Sequence, residues 1–193
     1  MKPVAFGIVL LIISIASCLT PWKMDKLVYY QKGYNPNYTA KLNTHGFYYN
    51  KENASDWKYE FPEYKNPQPL TPKYFYRDGS VAYGSTYPDI DSLKAWNIKY
   101  NSYENYATWG FYKIQGDTIY IESIYFDPLG DGSARRTELV GALKNDSIII
   151  VRVIDYKGKA TSFSVVWYFE SFNCKPDSTK NRLKKHRKYR IDK

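Results

Sequence analysis

The side chains that could carry out chemistry in this 193-residue chain are few and far apart. There are two histidines, His45 beside Gly46 and His186 within a basic run, and two cysteines, Cys18 and Cys174. A Ser-His-Asp centre would need His45 as its base, but no Gly-x-Ser-x-Gly elbow is present to offer the nucleophile. Cys174 and His45 are the one conceivable thiol–imidazole pair, and Cys174, following an apolar run, reads instead as a quiet, half-buried thiol. A closed zinc site needs more soft ligands than one cysteine and two distant histidines supply. Asp127-Pro128-Leu129-Gly130-Asp131-Gly132 has a loose calcium-loop look without the ligand spacing or terminal Glu of an EF-hand. Asp117 and Glu122 could be imagined as the carboxylate pair of a glycosidase, but Asp117 is a turn residue. No glycine-rich loop cradles phosphate. The expectation is a protein with no catalytic residues, no metal and no cofactor.

Cys18 has a different context. Lys2 supplies a positive charge, Val4 to Ala16 is an uncharged apolar run, and small residues lead up to the cysteine. Thirteen helical residues span about 20 Å, short of the roughly 30 Å hydrocarbon core, so the run fits a signal-peptide core and not a membrane span. Ile15-Ala16-Ser17-Cys18 resembles the lipobox of bacterial lipoproteins. That resemblance implies removal of residues 1–17 and a diacylglyceryl group on the Cys18 thiol. Only Cys174 would then remain, so no intramolecular disulfide is available and the domain must be held by burial.

Charge divides the chain unevenly. Of 28 basic and 19 acidic residues, nine basic and two acidic lie between Lys175 and Lys193, leaving 19 against 17 in everything before. Residues 175–193 therefore read as a basic tail, dispensable for folding because Leu183, Tyr189 and Ile191 are its only large apolar residues. An exported chain seldom meets nucleic acid. The partners expected for the tail are anionic envelope surfaces: lipid headgroups, lipopolysaccharide phosphates or peptidoglycan carboxylates.

The elements that must position any site are strands. Aromatic residues make up 18% of the chain, 21 of them Tyr, and aromatic and β-branched residues suit pleated surfaces. Residues 18–38 read as a tether, with Pro21 and Pro36, and Asn50 to Pro72 as an irregular passage with four prolines. Leu42 to Asn50 reads as a strand. Lys73–Arg77 meets Ser80–Tyr83 across Asp78-Gly79, a strong hairpin signal. Trp109–Ile114 turns through Gln115-Gly116-Asp117 into Thr118–Tyr125. Thr137–Leu143 turns through Lys144-Asn145-Asp146 into Ser147–Asp155, and Lys157-Gly158-Lys159 leads to Thr161–Phe172. Asp91 is the expected N-cap of a short helix through Ile98. About eight strands on close turns predict a mainly β domain over residues 39–174, a small antiparallel up-and-down barrel with one short helix.

Period-two spacing groups the bulkiest residues of two strands. Trp109 and Phe111, and Phe163, Val165, Trp167 and Phe169, are expected to form an inward face. That face is core if the barrel closes on itself, and a pocket lining if it does not.

Trp109-Gly110-x-Tyr112-x-Ile114-x-Gly116-Asp117-x-Ile119 resembles the lipocalin-like lipoproteins common in Bacteroidota. Leu42 to Tyr49 and Phe75 to Val81 resemble the opening strands of the same group. Lipocalins proper carry Gly-x-Trp on the first strand, and no such triplet lies between Leu42 and Asn50. The resemblance implies an outer-membrane lipoprotein, expected to face the periplasm because Leu19-Thr20-Pro21 lacks the usual retention and surface-export signals. With no catalytic groups in view, the expected function is a non-enzymatic binding module for a small apolar molecule, glycan or peptide. The alternative is an interaction protein or enzyme inhibitor whose barrel is filled by its own side chains.

Overall fold

The computed structural model describes residues 29, 42–51, 69–99, 108–126, 134–174 and 178–185. Cys18, the segment before it, the Asp127–Gly132 loop and His186 lie outside them.

Eight strands follow one another in the order in which they pair: β1 (Gly46–Lys51), β2 (Leu70–Phe75), β3 (Ser80–Tyr83), β4 (Thr108–Gln115), β5 (Thr118–Phe126), β6 (Ala134–Lys144), β7 (Ser147–Ile154) and β8 (Ala160–Ser171). Every neighbouring pair is antiparallel, and β8 returns to β1 through Gly46↔Ser171 to Tyr49↔Tyr168, closing the barrel. The mainly β, up-and-down, eight-stranded architecture with one short helix expected from the sequence is the architecture found. Its tight turns depend on residues that tolerate positive φ: Gly79 at 80° and Gly116 at 60°, with Asn145 at 38° the one non-glycine of this kind among the described residues.

Up-and-down topology gives the two ends of the barrel different characters. The turns β2–β3, β4–β5 and β6–β7 cap one end within a few residues each. The opposite end receives the long connections, including the one between β3 and β4 that carries α1 (Ile90–Lys99). Helix α1 is capped by Asp89, whose Oδ1 accepts a hydrogen bond from the Ser92 amide at 2.7 Å. Asp91, the expected cap, instead lies in the first turn, where its charge favours the helix dipole.

Alternation along the strands sorts the apolar residues into two layers. Tyr48, Phe75, Val81, Tyr112, Ile119, Ile121, Leu143, Ile148, Ile150 and Trp167 form one buried cluster with members on all eight strands, so this layer is the interior. Phe47, Tyr74, Ala82, Trp109, Phe111 and Ile124 form a second cluster with Leu93 of α1 and Leu183. Because helical residues join it, this second layer is the outer wall of the first five strands.

The expected inward face is thus corrected in part. Trp167 is inside, with Val165 and Phe169 packed against the same cluster. Trp109 and Phe111 are buried on the outer wall, while Tyr112 and Ile114 of the same strand point inward. Period two identifies residues that share a face, but β4 buries both faces, so spacing alone does not say which one is inside. Phe163 is 39% exposed. It lies in the first half of β8, where the described register partners are all on β7.

Residues 178–185 depart from the expected solvated tail. A 3₁₀ turn at Ser178–Lys180 precedes α2 (Arg182–Lys185), and both lean on the barrel. Leu183 is buried in the outer-wall cluster. Ser178 Oγ donates to Asp78 Oδ2 at 2.9 Å, and Lys184 Nζ lies 2.5 Å from the same oxygen. Leu183, worth about 1.5–3 kcal/mol on burial, acts together with the Asp78 contacts and the segment's own backbone hydrogen bonds against the entropy of ordering the segment, so the net gain is small. Truncation after Cys174 should lower stability by about 1 kcal/mol, or roughly 2–4 °C in melting temperature. Burial pushes the Asp78 carboxyl up, but hydrogen bonds from Lys184, Ser80 Oγ and the Ser80 amide outweigh it and hold the group below its ordinary value. This contribution is therefore present above the ordinary carboxylate pKa and is lost as pH falls through the lower folded value. The gap between the melting temperatures of full-length and truncated protein should narrow in acid, leaving the part due to Leu183; equal melting temperatures at pH 7 would refute docking.

Candidate functional site

Of the sequence candidates for catalysis, His45 and Cys174 lie at neighbouring strand ends, where the Phe172 amide donates to the His45 carbonyl at 3.1 Å, but no hydrogen bond joins their side chains. His45 is exposed, with its Nε2 3.0 Å from Arg77 Nη2. Cys174 is a half-buried free thiol. Asp117 sits in the exposed β4–β5 turn, whereas Glu122 is in the middle of β5. At about 3.4 Å per strand residue the two are on the order of 15 Å apart, beyond the roughly 5–9.5 Å of glycosidase pairs. Among the described residues no three His, Cys, Asp or Glu side chains are grouped so as to hold a metal.

Two polar clusters that the sequence reading passed over are built into the barrel. The first is on its outer wall. Glu122 has no exposed surface, and Arg136 on the neighbouring strand reaches Glu122 Oε2 at 2.9 Å and Glu138 Oε2 at 2.8 Å. Tyr29, from the segment expected to be a simple tether, docks on this network. Its amide donates to Glu122 Oε1, and its hydroxyl donates to Glu138 Oε2 at 2.5 Å. Lys113 Nζ lies 4.3 Å from the Tyr29 ring centre and 4.9 Å from that of Tyr120, within cation–π range. Desolvation, then the hydrogen bond to Glu138, pushes the Tyr29 hydroxyl far above its ordinary pKa, so it acts here as a donor.

The second cluster lies inside, toward the end that receives the long connections. Lys73 is buried, and its ammonium donates to Asn50 Oδ1 and to the Thr71 carbonyl, the latter at 2.8 Å. It also stands 4.8 Å from the centre of the Trp167 ring. Directly opposite Lys73 in register, on β3, is Tyr83. Tyr83 is half-buried as a residue, and its hydroxyl is buried without a hydrogen-bond partner of acceptable geometry among the described residues. Desolvation raises its pKa strongly; Ser123 is near enough to oppose that shift slightly, but no hydrogen bond of acceptable geometry joins the two.

The other end of the barrel is closed by side chains. The Tyr48 ring packs on Phe75 and Phe169 at centroid separations of 5.4 and 5.3 Å, and Phe75 packs on Tyr112 at 5.2 Å. The Tyr112 hydroxyl donates to the Tyr76 carbonyl at 2.7 Å. Burial pushes the Tyr48 hydroxyl up to about 12, against the opposing effect of the hydrogen bond from the Asn43 amide. These rings occupy the space that an enclosed cargo would need.

A sequence signal existed for one of the two clusters. Lys73 is two residues from Phe75 and Tyr83 two from Val81, so both share the inward face of apolar neighbours. The outer network has no such signal, because Tyr29 lies 93 residues from Glu122. No family model, no curated protein and no solved structure matches the chain.

Proposed function

We propose that the protein is a lipid-anchored, non-enzymatic binding module of the bacterial cell envelope, a lipocalin-like lipoprotein whose barrel serves as scaffold more than as container. The observation that carries this reading is the packed interior: Tyr48, Phe75, Tyr112, Ile119, Ile121, Ile148 and Ile150 are all fully buried against one another. Recognition then falls to the outer surface. This favours the interaction-protein alternative over carriage of an enclosed apolar ligand. Cys18 is the proposed point of lipid attachment, and the outer membrane, periplasmic side, the proposed location. The basic residues 175–193 add attraction to anionic envelope surfaces.

Detergent phase partition tests the anchor. Two or more acyl chains hold a protein stably, each buried CH₂ contributing about 0.8 kcal/mol. Wild-type protein should enter the detergent phase and Cys18→Ser the aqueous phase. Wild-type protein recovered in the soluble periplasmic fraction would refute the lipoprotein reading. Titration with decanol tests the packed interior: no saturable change in tryptophan fluorescence is expected, and a saturable one would restore the cargo reading.

A further inference from the structure

The outer wall of the first five strands is covered by α1 and α2, but apolar surface is left uncovered elsewhere. Six large hydrophobic residues are exposed among those described, and three of them, Val151, Tyr156 and Phe163, share the β7–β8 hairpin. Scattered singly, such residues need no explanation; gathered on one element they point to a contact surface. The hairpin turn lies at the end of the barrel that receives the long connections. Every residue from Tyr156 to Ser164 is exposed, and the described partners of Ala160 to Trp167 are all on β7.

The same hairpin end is basic. Arg152, Lys157 and Lys159 are exposed, and no ion pair joins any of them to a described residue. Asp155 is the one acid between Val151 and Ser164, and its charge is directed into the turn. Its Oδ1 accepts hydrogen bonds from the Lys157 and Lys159 amides, both at 2.9 Å. The Asp155 amide donates to the Lys159 carbonyl at 3.1 Å, and Gly158, at a φ of 78°, donates to the Asp155 carbonyl at 2.9 Å. The Tyr156 ring is fixed by cations: Arg135 Cζ lies 4.4 Å and Lys157 Nζ 5.4 Å from its centre. The tip is therefore a built turn that presents aromatic and aliphatic side chains among positive charges.

We propose that this hairpin end rests on an anionic lipid bilayer. Tyr156, Phe163 and Val151 meet the boundary between headgroups and acyl chains, and Arg152, Lys157 and Lys159 meet lipid phosphates. Charge complementarity selects the occupant. Apolar residues next to basic ones are what a bilayer interface accepts, since it offers phosphate and hydrocarbon within a few ångströms of each other. Tyrosine suits that depth because its ring is apolar and its hydroxyl polar. The inference rests on the reading of the protein as an envelope protein and adds a surface to it, separate from the lipid on Cys18 and from residues 175–193.

Hydrogen exchange of the full chain tests the surface, measured with vesicles of phosphatidylcholine alone and of phosphatidylcholine with phosphatidylglycerol. On the anionic vesicles, amides of residues 151–164 should exchange about fivefold or more slowly than on the neutral ones, the factor one basic residue contributes at an anionic surface. High salt should remove the difference. Lys157→Glu combined with Lys159→Glu should also remove it while melting as wild type, because both side chains are exposed. Phe163→Ser should reduce it. The proposal is overturned if exchange at residues 151–164 is the same on both vesicles, or if slowing is confined to residues 175–193. Equal slowing by inorganic phosphate without vesicles would make the tip an anion site and not a bilayer surface. Unchanged slowing in Phe163→Ser would remove the apolar contact. Failure here with Cys18-dependent anchoring intact leaves the anchored binding module as proposed. Failure of anchoring leaves this test readable, because the vesicles are added to the full chain however it is held.

Discussion

Trp167→Ala should destabilise the protein by about 3–5 kcal/mol, the usual range for truncating a large buried aromatic. Trp167 is 4% exposed in the interior cluster, opposite Ile148 in register and beside Val165 and Phe169. The loss combines apolar burial, a cavity in a closed wall that cannot collapse far, and the ring beneath which Lys73 is held. At roughly 2–4 °C per kcal/mol for a chain of this length, the melting temperature should fall by about 6–20 °C. Tyr168→Ala supplies the control, because Tyr168 is 48% exposed on the opposite face of the same strand; its effect should stay below about 1 kcal/mol. Chemical denaturation of both variants checks the contrast. A Trp167→Ala loss under 1 kcal/mol would mean that the interior is not packed around this ring.

Gly110→Ala should be nearly as damaging, for a reason invisible in composition. A Cβ at Gly110 would lie 2.0 Å from the Glu122 carbonyl oxygen, 3.0 Å from its carbon and 3.2 Å from the Ser123 Cα. All three are backbone atoms of β5, paired with β4 at this point through Gly110↔Ser123. A flexible side chain could swing aside; a paired strand must move as a whole. Overpacking typically destabilises by about 1–3 kcal/mol and sometimes more, and a backbone clash in the wall belongs at the upper limit. Gly116→Ala separates space from conformation. Nothing lies within 4 Å of its added Cβ, but φ is +60°, so only left-handed strain of about 1–2 kcal/mol applies. Urea midpoints should rank wild type above Gly116→Ala, and that above Gly110→Ala. The reverse order of the two variants would show that β5 yields easily at Glu122.

The barrel was legible because its signals are local. Asp78-Gly79, Gly116-Asp117 and Asn145 mark turns by their own backbone preferences, and alternating apolar residues mark the strands between them. Sidedness was less legible. On β8 the spacing picked out Val165, Trp167 and Phe169 correctly as interior, but on β4 it took Trp109 and Phe111, which the outer wall buries under α1 and α2. That wall exists only because distant segments cover it, and nothing in the sequence of β4 reports them. Phe163 failed for a different reason: the β7–β8 register shifts between Ile150 and Arg152, so period two does not carry from Val165 across to Phe163. The rim cluster of Lys73 and Tyr83 lay within reach of the same period-two argument applied to β2 and β3.

The docking of Tyr29 on Glu122 and Glu138 also sets a leash length. With the proposed lipid on Cys18, eleven residues join the membrane surface to the clamp, and at about 3.3–3.6 Å per residue they reach no farther than roughly 36–40 Å. The attachment is to the side of the barrel, on the wall built by β4 to β6, and not to an end. A domain anchored in this way would be held by its flank and kept in a shallow layer next to the bilayer, where a partner would have to come to be met.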